Sequence, residues 1–112
     1  MTGGYIKLWR KTTEWEWYNN SNAKIVFFHL LLTANHKPVN YQGIKIPAGS
    51  VLTSYAKLAE ETGLTIRQAR TGIATLKLTG EVTSKATGKG TGKGTLYTLK
   101  NWSSYQDKRQ GN

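Results

Sequence analysis

Apolar residues recur at helical spacing in three stretches of the chain. In residues 22–33 they fall on more than one face of a helix, as Ile25, Val26 and Phe28 illustrate. An asparagine- and serine-rich run precedes this stretch and offers residues that cap a helix N-terminus. The pattern therefore predicts a largely buried first helix over residues 22–33.

Two further helices follow each other closely. Residues 55–62 are good helix formers, Ser54 can cap them, and Gly63 can adopt the left-handed conformation that ends a helix. Thr65 then begins a second helix, and Gln68 three residues later completes the spacing of a capping box. The helix is expected to end near Gly80, and its predicted buried stripe consists of Ala69, Ile73 and Leu76.

Runs rich in Val, Ile, Thr and Tyr predict short strands between these helices and after them. Strands are expected at residues 43–47 and 51–53, joined by a turn, and at residues 81–87 and 95–100, joined by a glycine-rich tip. A short strand over residues 5–9, a helical turn over residues 15–18 and a loop over residues 35–42 complete the interpretation. Trp102 and Tyr105 are expected to fold back on the core.

Helices of this length followed by a hairpin predict an α+β fold of the winged helix-turn-helix class, with three or four helices and a C-terminal β-hairpin wing. The length of 112 residues suits a single domain. Its core is expected over residues 4–106, with a loose tail over residues 107–112.

Charge changes this picture by pointing to a partner. The chain carries sixteen Lys and Arg against six Asp and Glu, a net charge of +10. Residues 65–100 hold seven of the basic side chains and one acidic side chain, whereas residues 1–64 hold seven and four. Such an excess of positive charge is typical of proteins that bind a polyanion, either nucleic acid or an acidic membrane surface.

The candidate chemistry argues against an enzyme, a metal site and a cofactor. There are no cysteines, and His29 and His36 do not have the spacing of a metal motif. The glycine-rich tip differs from a phosphate-binding P-loop, because Lys93 is followed by Gly94 where that motif has Ser or Thr. No signal peptide or membrane-spanning run is present in the sequence, so a cytoplasmic protein without membrane contact is expected.

The second helix of the pair is the predicted DNA recognition helix. Recognition helices read bases with their N-terminal half, and Arg and Gln match the edges of guanine and adenine. Arg67, Gln68 and Thr71 are therefore the expected base contacts. Phosphate contacts are expected from Arg70, Thr75 and Lys77, with Thr65 at the start of the helix.

The wing and the first helix of the pair supply the remaining predicted contacts. Glycines let the wing backbone approach the sugar-phosphate chain, while lysines provide charge. The expected contact residues are Ser54, Tyr55, Lys57, Lys85, Lys89, Thr91 and Lys93. The alternative is a flexible turn that its lysines keep soluble.

Several segments, taken in order, resemble the N-terminal winged-helix domain of phage replisome organisers and related DnaD-like replication proteins. They are WEWY at residues 15–18, FFHLLL at 27–32, GSVLTS at 49–54, LAEETGLT at 58–65, QART at 68–71 and TGEV at 79–82. The resemblance implies origin binding in phage or prophage replication initiation. It also implies host primosome or helicase-loading proteins as partners and leaves a homo-oligomer open.

Two other functions stay open on the sequence. A transcriptional regulator can have the same fold and the same charged helix. A protein-interaction module is the third hypothesis, because winged helices also bind proteins and fold alone does not decide function. Its candidate contact residues are Trp9, Trp15 and Trp17, although core packing is the simpler interpretation of these rings.

Overall fold

The computed structural model describes residues 5–87 and 94–106, which form an α+β fold. Within these residues there are three α-helices and five β-strands. In chain order they are α1 (Ser21–Thr33), β1 (Val39–Tyr41), β2 (Ile44–Ile46), β3 (Ser50–Thr53), α2 (Tyr55–Thr62), α3 (Ile66–Leu78), β4 (Val82–Ala86) and β5 (Thr95–Leu99). The predicted α+β class is confirmed.

Helix α1 packs mainly against α3 and carries much of the core. It begins where the Asn20 side chain accepts a hydrogen bond from the backbone N–H of Ala23 at 3.0 Å, so the predicted cap-rich start is confirmed. At the crossing of the two helices, a Cβ added to Gly72 would lie 2.7 Å from the carbonyl oxygen of Asn22. The buried residues of α1 are Ala23, Val26, Phe27, Leu30 and Leu31.

The strands form two separate antiparallel sheets. The larger sheet has the order β3-β5-β4, with β5 in the centre. Its β4–β5 hairpin, which follows α3 directly, confirms the predicted C-terminal hairpin. The two strands predicted at residues 43–47 and 51–53 are also present, but β2 pairs with β1 while β3 pairs with β5.

The predicted loop over residues 35–42 is wrong in its second half, because Val39–Tyr41 is strand β1. Gln42 and Gly43 have φ angles of 51° and 82°, the two positive values that a two-residue type I′ hairpin turn requires. This turn brings Tyr41 opposite Ile44. The polar residues around Pro38 predicted a loop, although Gly43 is a residue typical of a tight hairpin turn.

One of the N-terminal predictions needs correction. The strand expected over residues 5–9 is wrong, because only Ile6 pairs, in an isolated bridge with Gln106. The helical turn expected at residues 15–18 is present, since the Tyr18 N–H donates to the Trp15 carbonyl at 3.0 Å and Trp17 is buried. It follows a 3₁₀ turn at Arg10–Glu14, which the sequence did not predict and which the Thr13 hydroxyl supports by donating to the Arg10 carbonyl.

The C-terminal segment folds back as predicted. A 3₁₀ turn at Trp102–Tyr105 buries the Tyr105 ring among Trp15 and Phe27, and Trp102 packs against the backbone at Gly49. The predicted tail at residues 107–112 lies outside the described residues. Among the described residues, no helix is long and apolar enough to cross a membrane.

Candidate nucleic-acid interface

The turn between α2 and α3 fixes the relative placement of these two helices. Ser54 caps α2 by accepting a hydrogen bond from the Lys57 N–H at 3.2 Å, and Gly63 ends the helix at a φ of 80°. Thr65 and Gln68 form the reciprocal capping box at the start of α3, with distances of 2.9 and 3.0 Å. The predicted caps at both helices are confirmed.

Helix α3 has one buried face and one solvent face. The buried face consists of Ala69, Gly72, Ile73 and Leu76, and it packs on α1 and α2. Because an α-helix has 3.6 residues per turn, positions 67, 71, 74 and 78 lie directly opposite. These four residues are all exposed, and two of them, Arg67 and Thr71, are predicted base contacts.

Ala74 and Leu78 complete this exposed stripe and were missed by the sequence interpretation. Leu78 is 88% exposed, the largest exposure among the large apolar side chains of the described residues, and Ile66 at the start of α3 is 50% exposed. The sequence interpretation named only the buried stripe and the polar residues of this helix. Counting in steps of 3.6 from the buried stripe places Ala74 and Leu78 on the outer face.

Arg70 lies beside this stripe, on the side of α3 that faces α2. Its guanidinium is 5.7 Å from the centre of the Tyr55 ring, within the range of a cation–π contact. Tyr55 is half-buried, and its phenol lies beside that of Tyr97 of β5. Burial, followed by the neighbouring Tyr55 phenol, raises the pKa of Tyr97 to about 12. Arg70 therefore contacts α2 through the Tyr55 ring, which lies next to β5 of the larger sheet.

The capping box restricts what Gln68 can read. Its Oε1 accepts a hydrogen bond from the Thr65 N–H, so a bidentate contact with adenine requires that this bond be released. Thr71 is less committed. Its hydroxyl donates to the Arg67 carbonyl at 2.9 Å, and its oxygen can still accept a further hydrogen bond.

The remaining predicted contacts divide into exposed and partly engaged side chains. Lys57, Lys77 and Lys85 are exposed, on α2, α3 and β4 respectively, whereas Thr75 is half-buried. Ser54 already uses its hydroxyl oxygen in the α2 cap. Three predicted wing contacts, Lys89, Thr91 and Lys93, lie outside the described residues.

Helix α3 carries no acidic side chain, since residues 65–80 contain neither Asp nor Glu. Glu61, at the end of α2, pairs with His29 of α1 at 2.8 Å. Glu81 begins the connection to β4, where burial raises the pKa of its carboxyl above the ordinary value of 4.5, against the opposing effects of Trp17 and Lys100. The outer face of α3 therefore keeps an uncompensated positive charge on its own helix.

The tryptophans near the N-terminus differ in exposure. Trp17 is 2% exposed and packs in the core against Phe27. Trp15 is half-buried in the same aromatic cluster, whereas Trp9 is 56% exposed. Core packing therefore accounts for Trp15 and Trp17 and leaves Trp9 as the one of the three that is available for a contact.

The described residues contain no group of three or more His, Cys, Asp or Glu side chains placed to hold a metal ion. Comparison of the chain with protein-family models, with curated proteins and with solved structures finds no match.

Proposed function

We propose that this chain is a winged helix-turn-helix domain that binds double-stranded DNA. Helix α3 enters the major groove, and the β4–β5 hairpin follows the sugar-phosphate backbone as the wing. The proposal is supported by the order of the elements, in which two helices joined at a left-handed glycine precede a two-stranded hairpin. It is further supported by the net charge of +10.

The observation that carries the proposal is the outer face of α3. It presents Arg67, Arg70 and Lys77 to solvent on a helix without acidic residues. An ordinary solvated helix face mixes both signs of charge. A recognition helix instead combines cations for phosphates with forked donors for base edges.

The individual roles follow from position on this face. Arg67 and Thr71 lie at the centre of the exposed stripe in the N-terminal half of α3, where base contacts are expected. Arg70 and Lys77 lie to one side and meet phosphates, together with Lys57 and Lys85. Gln68 is better assigned to holding the helix start, since its side chain is engaged in the capping box.

The biological setting we propose is initiation of phage or prophage DNA replication, with host primosome proteins as partners. Its support is the resemblance to replisome organisers, which concentrates in the segments around α1, α2 and α3. A transcriptional regulator would use the same face. Mapping the sites bound in the host genome separates the two, because sites within a replication origin support initiation and sites at promoters support regulation.

Fluorescence anisotropy with a labelled duplex tests DNA binding directly. Each phosphate contact adds about 0.9 to the slope of log affinity against log salt, so binding should weaken steeply with salt. Arg67→Gln should reduce affinity and relax sequence preference, with a cost of about 1–3 kcal/mol. Arg10→Gln makes the same change of charge outside α3 and serves as the matched control. Equal affinities of the two variants would remove α3 from the interface.

A second function, protein binding, is favoured by one specific observation. Leu8 and Trp9 are 50% and 56% exposed next to each other in the chain, outside α3. Exposed aromatic residues are enriched at protein interfaces. Sedimentation of wild-type protein and Trp9→Ala tests whether this segment holds copies together, and an unchanged distribution of species removes it from any self-association.

A further inference from the structure

A groove of about 800 Å³ lies beside the free edge of β3, outside the proposed DNA-binding face of α3. The β1–β2 hairpin forms one wall, and β3 with the start of α2 forms the other. Its volume falls within the range of established ligand pockets. The lining residues on which the argument depends are Val39, Tyr41, Ile46, Leu52, Thr53 and Lys57.

The edge of β3 offers unpaired backbone groups to this groove. The Leu99 N–H donates to the Gly49 carbonyl, and alternation along an antiparallel pair then directs the backbone groups of Val51 and Thr53 toward β5. Those of Ser50 and Leu52 point away from β5. The Ser50 carbonyl is satisfied by Asn35, but the N–H and C=O of Leu52 have no partner among the described residues.

A second unpaired group lies next to Leu52. The hydroxyl oxygen of Thr53 is buried, and it has no hydrogen-bond partner within the part of the chain that the structure describes. A buried polar group without a partner costs about 1–3 kcal/mol, so removing this hydroxyl should stabilise the fold. It lies beneath the surface, so the groups that await a ligand are the N–H and C=O of Leu52.

The sides of the groove differ in chemistry. Val39, Tyr41 and Ile46 give the hairpin wall an apolar surface, of which Val39 and Tyr41 are 42% and 53% exposed. Lys57, which is exposed, is the only charged side chain among the lining residues. The charge of the groove is therefore positive, as is that of the whole chain.

We propose that this groove binds an extended acidic peptide of a partner protein, which adds a strand to the edge of β3 at Leu52. Main-chain hydrogen bonds to Leu52 give such an addition its affinity, and side chains at alternate positions give it specificity. Apolar side chains of the peptide pack against the hairpin wall. A carboxylate of the peptide pairs with the exposed Lys57 ammonium.

Fluorescently labelled peptides of alternating valine and glutamate test this proposal by anisotropy. Two versions carry N-methyl groups on alternate residues, one on the odd set and one on the even set. Because the N–H groups of a strand point alternately to its two sides, one version should lose binding by about tenfold and the other should retain it. No binding of the parent peptide, or equal binding of both methylated versions, overturns the proposal.

Protein variants locate the peptide in the groove. Lys57→Gln should weaken binding of the valine–glutamate peptide about tenfold, whereas Lys45→Gln, outside the groove lining, should leave it unchanged. Thr53→Val removes a buried unpaired hydroxyl, so it should raise the melting temperature and leave peptide binding unchanged. Equal binding of a valine–lysine peptide, or equal effects of Lys45→Gln and Lys57→Gln, contradicts the assignment. Because Lys57 is also a proposed phosphate contact, the peptide is measured without DNA. Arg67→Gln should not affect peptide binding, which separates the groove from the proposed DNA contacts of α3.

Discussion

Gly72 is the residue on which the packing of α1 against α3 depends most closely. In an exposed helix position, Gly→Ala stabilises a protein by about 1 kcal/mol through helix propensity. Here the added Cβ would lie 2.7 Å from the Asn22 carbonyl oxygen and 3.0 Å from a Val26 methyl group, so the helices must separate. Whether Gly72→Ala raises or lowers the free energy of unfolding therefore shows whether α1 and α3 approach this closely.

We expect Gly72→Ala to lower the free energy of unfolding by about 1–3 kcal/mol, the usual cost of overpacking. Urea unfolding followed by circular dichroism measures it. Ala74→Gly on the outer face of the same helix is the control, with an expected loss of about 0.5–1 kcal/mol from propensity alone. A stabilised Gly72→Ala variant would refute the close crossing.

Glu81 gives the protein a pH dependence of known direction. Burial raises the pKa of its carboxyl in the folded state above the ordinary value of 4.5. The folded protein therefore binds more protons than the unfolded chain as the pH rises from 4.5, and this group's contribution to stability falls over that interval. At neutral pH the charged carboxylate is destabilising.

Glu81→Gln should raise the melting temperature at pH 7, and the difference from the wild type should shrink as the pH falls toward 4. Thermal melts across this interval measure the trend, with Glu60→Gln at an exposed position of α2 as the control. A Glu81→Gln variant that is less stable than the wild type at pH 7 would show that its contacts with Trp17 and Lys100 outweigh burial.

At the scale of elements, α2 and α3 could be predicted well because their ends are fixed by local chemistry. Ser54, Gly63, Thr65 and Gln68 act through hydrogen bonds or backbone angles within four residues. The strand expected at residues 5–9 failed for the opposite reason. A strand needs a partner, and only Ile6 finds one, about a hundred residues away at Gln106.

The candidate site was also predictable only where local sequence determines the structure. The charged residues of α3 are exposed as expected, because the buried stripe of a helix determines its opposite face. The capping box predicts the hydrogen bond that engages Gln68, and this bond competes with the base contact expected from the same residue. The groove beside β3 could not be anticipated, since it depends on how two separate sheets lie next to each other.

The capping box is the feature of α3 that a substitution isolates most cleanly. Thr65→Ala removes the hydroxyl that accepts from the Gln68 N–H and should cost about 1 kcal/mol of stability. Thr65→Ser keeps that hydroxyl and should cost much less. Urea unfolding measures the stability of both variants. Equal losses of stability would mean that the Thr65 methyl group, and not the hydrogen bond of the cap, stabilises the helix start.

At the scale of the whole molecule, charge and fold point in the same direction. The core joins α1, α3 and the sheet, and it leaves the outer face of α3 free. A net charge of +10 favours the approach of a polyanion, and the exposed cations of α3 and β4 mark the surface where we propose that DNA binds. Long-range attraction and local geometry thus favour the same surface.

The central claim is that this surface binds duplex DNA, and the most direct measurement is a titration of ¹⁵N-labelled protein with a short duplex at low salt. We expect the amide shifts to concentrate in α3, from Ile66 to Leu78, with further changes at Lys57 and Lys85. Increasing salt should reverse them together. The absence of shifts, or shifts confined to Leu8 and Trp9 at the N-terminus, would contradict the account.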